Sequence, residues 1–148
     1  MKHIYFLIAV ITLATSCKKD GSYNVKTTLS ATAYITDYKG ETRRALVDMY
    51  LIKPEDRGDL KNVNTVSENC PNHSIIAFTS RATSYYKNDV PTGDYILVMQ
   101  VSPLEEDWNW FRYSYKEISI SKGDELNEVM VFSYGGKATS PEPWNSNK

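Results

Sequence analysis

The chain has 148 residues, with 17 basic against 18 acidic side chains and a net charge of −1. That balance lacks the cationic surplus a nucleic-acid surface needs, so no nucleic-acid partner is expected. Two cysteines are too few for a disulfide framework.

The first residues read Met-Lys-His, then the uncharged run Ile4–Ala14, then Thr15-Ser16-Cys17. A basic start, an apolar stretch too short to span a bilayer and small residues at its end make residues 1–16 a secretory signal. Leu13-Ala14-Thr15-Ser16-Cys17 resembles a bacterial lipobox, although Ala14 stands where leucine is usual and Leu13 lies one place early. The resemblance implies a lipoprotein acylated at Cys17 and held to a membrane through that anchor without spanning it. Several acyl chains on one cysteine exceed the marginal hold of a single chain. Residues 17–25 then form a lipidated tether. Its Lys18-Lys19-Asp20 is similar to the export signals of surface lipoproteins in some Gram-negative bacteria. That implies the outer membrane, with the cell surface preferred over the periplasmic face. Removing residues 1–16 leaves 132 residues and a net charge of −2. That length suits one domain with a proper core. With Cys17 acylated, Cys70 has no disulfide partner, and a buried, inert thiol is expected.

Residues 26–135 read as β structure. Thr27–Thr36 alternates Leu29, Ala31, Ala33 and Ile35 against Ser30, Thr32, Tyr34 and Thr36, a strand with one wet face. Asp37-Tyr38-Lys39-Gly40 is a turn, and Ala45–Ile52 is the next strand. Lys53–His73 holds Pro54, Gly58, Pro71 and four asparagines and breaks every period. It is expected as a long connection with one helical turn near Glu55–Leu60. Ser74–Arg81 and Tyr85–Asn88 follow as strands. Pro91 and Gly93 then set a turn that leads into Tyr95–Val101, whose two faces are both mostly apolar. Such a strand is covered on both sides. Arg112–Ile120 and Glu128–Tyr134 complete the set around the turn Ser121–Asp124, and residues 136–148 are expected to be a disordered tail.

Seven short strands, turn signals between them and one long connection predict an all-β fold, a seven-stranded Greek-key β-sandwich. Three stretches carry a family resemblance: Ala33–Gly40, Ala45–Leu51, and Val90-Pro91-Thr92-Gly93-Asp94-Tyr95-Ile96-Leu97. Together they resemble the transthyretin-like sandwiches, which include carboxypeptidase regulatory-like domains and Cna B-type repeats. The resemblance spans most of Thr27–Tyr134 and supports fold more than activity. The urate-pathway hydrolase of that group needs histidines and a C-terminal Tyr-Arg-Gly-Ser. Beyond the signal this chain has only His73, and Tyr134-Gly135-Gly136 lacks the arginine and serine. The Lys–Asn crosslink of Cna B-type domains needs a glutamate where this strand has Met99 and Gln100. What the resemblance leaves is a binding or scaffold role.

The most loaded stretch is Glu105–Tyr115. In an extended backbone Trp108 and Trp110 share one face, while Phe111, Tyr113 and Tyr115 share the other. Trp108, Asn109, Trp110 and Tyr113 are therefore the candidate ligand-binding residues: rings to stack on a sugar, an amide to meet its hydroxyls. Aromatic cover for the sandwich core is the competing reading. Glu105, Glu106 and Asp107 lack calcium-loop spacing. Cys70 and His73 have zinc-like spacing with no second pair to complete four ligands, so no metal is expected. Arg57-Gly58-Asp59 matches a cell-adhesion tripeptide, a cheap match in a charged loop. No nucleophile–histidine–acid set or phosphate loop is visible, so neither catalytic residues nor a cofactor are expected. The resulting expectation is a non-catalytic binding module for glycan or a surface protein. The alternative is a structural component of a surface fimbria or similar assembly, in which a donated strand completes a neighbour's sheet.

Overall fold

The computed structural model of the chain describes residues 26–101, 112–133 and 141–147. Eight strands fall in this order: β1 (Thr28–Thr36), β2 (Thr42–Arg44), β3 (Val47–Ile52), β4 (Ser74–Ala82), β5 (Ser84–Asn88), β6 (Gly93–Val101), β7 (Arg112–Ile120) and β8 (Glu125–Phe132). They make an all-β sandwich of two four-stranded sheets. In the first, β1 is flanked on one side by β2 and β5, which pair with different halves of it, and on the other by β8. The β1–β8 pair is parallel, from Thr28↔Glu125 to Ile35↔Phe132. The second sheet has the order β4-β3-β6-β7.

The two sheets meet where the alternation places apolar side chains. Leu29, Ala31, Ala33, Met130 and Phe132 from the first pack with Val47, Met49, Leu51, Leu97, Met99 and Ile118 from the second, most of them fully buried. Each of these side chains larger than alanine contributes about 1.5–3 kcal/mol by leaving water. Asp37 shapes the β1–β2 turn by accepting from the backbone N–H groups of Lys39, at 2.8 Å, and Glu41, at 2.9 Å. Gly93 takes φ 147 at the entrance to β6, a left-handed value that side chains other than glycine avoid.

β6 is covered on both faces as its composition predicts, and the second cover is a helix. Helix α1 (Val63–His73) occupies much of the expected irregular connection, preceded by a 3-10 turn at Pro54–Asp56. The Asn62 side chain caps α1 by accepting from Asn64 N–H at 3.0 Å. Val66 and Cys70, one turn apart, press with Leu60 onto Ile52, Ile96, Val98 and Tyr113 on the outer face of the second sheet. The molecule therefore has three layers: sheet, sheet and helix.

Two further expectations are corrected. The eighth strand is β2, three exposed residues that form only because they lie opposite Tyr34–Thr36. Residues 141–147, expected within a disordered tail, instead lie along the seam between β7 and β8. Val131 N–H donates to Asn145 O at 2.7 Å and Glu142 N–H donates to Tyr113 O at 2.9 Å. The strap holds because it pairs with backbone groups at the edges of both sheets.

Candidate functional site

Of the residues singled out in the sequence, Cys17, Trp108, Asn109 and Trp110 lie outside the described residues. Tyr113 is described, and its assignment to a ligand site is corrected. It is 0% exposed, sits in the small core beneath α1, and donates its hydroxyl to Leu60 O at 3.0 Å. Burial pushes that phenol above its ordinary range, with the charges of Tyr115, Asp59 and Cys70 adding to the effect. A ring so placed is part of the packing beneath α1.

Cys70 and His73 do not converge, since the thiol is buried and the imidazole is exposed at the end of α1. Burial pushes the thiol up to about 11, so it stays protonated and inert near neutral pH. Among the described residues no three histidine, cysteine or acidic side chains cluster as a metal site would require. Arg57, Gly58 and Asp59 are exposed. The arginine reaches Glu117 at 3.8 Å and the aspartate carboxylate accepts from Lys61 N–H at 3.1 Å. This loop is already engaged with its own surroundings.

The arrangement that remains for a ligand is the outer face of the first sheet. The second sheet gives one face to the core and part of the other to α1. Among the described residues the outer face of the first sheet is exposed at Tyr86 and half-buried along β1, and strand parity decides what lines it. Leu29, Ala31 and Ala33 point inward, so Ser30, Thr32, Tyr34 and Thr36 point out. Register extends these into rows across the sheet. Tyr86, Ser30 and Asn127 lie side by side on β5, β1 and β8, and Ser84, Thr32 and Val129 form the next row. Arg44 lies opposite Tyr34 at the β2 end. The rows are about 7 Å apart and the strands about 4.8 Å apart, so three rows span roughly 10 by 14 Å.

Ser30 Oγ donates to Asn127 Oδ1 at 3.1 Å and the hydroxyls of Thr36 and Thr42 meet at 3.2 Å, which keeps the platform ordered. The Tyr86 ring is 63% exposed. The face is hydroxyl- and amide-rich, with Arg44 at one end and Glu125 at the other as its charged members. Such a surface offers a ring to stack against and dipoles to bond to. Tyr86 carried a weak signal in the sequence, because burial of its neighbour Tyr85 puts Tyr86 on the opposite face.

A second concavity, of about 300 Å³, lies on the outer side of the second sheet beside the 3-10 turn. Pro54, Asp94, Tyr95, Glu117, Ile118 and Ser119 line it. Ser119 donates to Asp94 at 2.5 Å and Glu117 faces Arg57, so its polar groups answer one another. It lies at the end of the sandwich where the chain enters β1. Comparison with known proteins returns no matching family model, no matching curated protein and no matching solved structure. The fold class, an all-β sandwich, is therefore read from the strands and their pairing alone.

Proposed function

We propose that this chain is a bacterial lipoprotein, anchored in the outer membrane by acylation of Cys17 and displayed at the cell surface, whose transthyretin-like sandwich is a non-catalytic module that binds glycan. The observation that supports binding is the outer face of the first sheet, with Tyr86 exposed among Ser30, Thr32, Ser84 and Asn127. A sugar ring lays its C–H face on an aromatic ring and turns its hydroxyls to neighbouring dipoles, and this face supplies both. The lipobox-like Leu13–Cys17 supports the anchor. Ten residues separate Cys17 from Thr28, a reach of at most about 40 Å when extended. That keeps the sandwich near the membrane while leaving its sides accessible.

The test uses the processed chain carrying Cys17→Ser, probed on an array of neutral and acidic glycans. Retention of at least one neutral polysaccharide, with binding weakened tenfold or more by Tyr86→Ala, is the expected result. Absence of retained glycan, or equal retention by the folded Tyr86→Ala chain, overturns it.

A further inference from the structure

The strap 141–147 sits on the sandwich as a ligand sits in a groove. None of its residues is fully buried: Pro141, Glu142 and Trp144 are half-buried and Pro143, Asn145, Ser146 and Asn147 are exposed. The walls beneath it are closed, with Arg112, Ser114, Met130 and Val131 all buried. The groove exists because the inner face of β7 turns polar where it passes beyond the core. Arg112, Ser114 and Lys116 share the parity of Ile118 and Ile120, which are core. Lys116 pairs with Glu128 of β8, while Arg112 pairs with Glu142 of the strap and donates to Ser133 Oγ at 3.3 Å.

Glu142 is the principal contact. Its carboxylate pairs with the Arg112 guanidinium and accepts from Ser133 N–H and Oγ–H, each at 3.1 Å. Its carbonyl accepts from Ser114 Oγ at 2.7 Å. Two residues on, Trp144 packs at the core margin with Lys116 Nζ 5.3 Å from its ring centre. One buried cation for a carboxylate, one ring site beside a second cation, and backbone pairing to Tyr113 and Val131 together describe a reader of extended acidic peptides.

We infer that the seam between β7 and β8 is an acceptor groove of this kind, with the chain's own strap as a resident pseudo-ligand. The partner that displaces it is an extended segment carrying a carboxylate and, two residues later, an aromatic ring. The inference does not rest on the proposed glycan-binding face, although Ser146 of the strap reaches Val129 O at 3.4 Å along the β8 edge of that face.

The experiment keeps the whole chain. A protease site placed between Tyr134 and Ser140 is cut after folding, so that the strap is held by contacts alone. A labelled peptide of residues 140–148, Ser-Pro-Glu-Pro-Trp-Asn-Ser-Asn-Lys, is then added. It is expected to exchange with the nicked strap and to bind at least tenfold more weakly when it carries Glu142→Gln or Trp144→Ala. An otherwise polyalanine peptide that keeps only the Glu-x-Trp spacing is expected to bind within tenfold of the parent. Loss of β structure by circular dichroism as the strap leaves overturns the inference, because the strap is then a part of the core. So does failure to exchange, equal binding by the two variant peptides, or rejection of the polyalanine peptide.

Discussion

Tyr113 and Cys70 meet in the same small core beneath α1, and each carries a polar group that burial perturbs. The Tyr113 hydroxyl is satisfied by Leu60 O. Replacing it with phenylalanine strips the partner from a buried carbonyl, at about 1–2 kcal/mol. A urea melt of Tyr113→Phe should show a lower midpoint with an unchanged slope. Cys70 is different, because its thiol is pushed up to about 11 by burial, against about 8.5 for an exposed thiol. The folded state therefore holds the proton more tightly than the unfolded state does. The stability this contributes is complete below about pH 8.5 and is lost as pH rises toward 11. Two measurements follow. Native protein at pH 8 should resist alkylation at Cys70 until denaturant is added, and Cys70→Ala should flatten the fall in stability over that alkaline window.

At the scale of elements, the strap is held by a few specific contacts to the edges of both sheets. Glu142→Ala removes the carboxylate that pairs with the Arg112 guanidinium, whose side chain is 6% exposed. Loss of one partner from such a pair costs about 3–5 kcal/mol, so thermal melting of Glu142→Ala should fall well below that of the parent chain. The strap was not legible in the sequence: two prolines, two asparagines and one tryptophan give no period, and its structure comes from contacts with edges formed elsewhere. Strands with one buried face were legible. β1 and β6 announce themselves by alternation and by continuous apolarity, which reflect one covered face and two. Helix α1 was hidden for a physical reason. Val-Asn-Thr-Val-Ser-Glu-Asn-Cys-Pro-Asn-His is rich in poor helix formers and includes Pro71. The signal that could have found it is the Val66–Cys70 spacing of four, enough to press one stripe onto the second sheet. Tyr113 misled for a related reason. Parity puts it on the outer face of its sheet, and only the unseen helix makes that face a core.

For the molecule as a whole, the described layers leave the Tyr86 side of the first sheet exposed. The tether enters at the Thr28 end of β1, the end shared with the starts of β6 and β8. Acylation makes a simple demand: the parent chain should sediment with membranes and Cys17→Ser should appear in the soluble fraction. Association of the sandwich also separates the two functional readings. The strap and the register irregularities in β4 blunt edges that would otherwise template pairing. The Cys17→Ser chain should therefore run as a monomer by size-exclusion chromatography with light scattering, whereas an assembly component would polymerise as concentration rises. One topological feature reaches further. Because β8 pairs in parallel with β1 along its whole length, the earliest strand to emerge from a ribosome or a translocation channel has its main partner among the last. Contacts so distant in sequence form slowly. If the chain is exported as proposed, slow closure of its first sheet keeps that sheet unformed until synthesis of β8 is complete, which favours passage as an open chain.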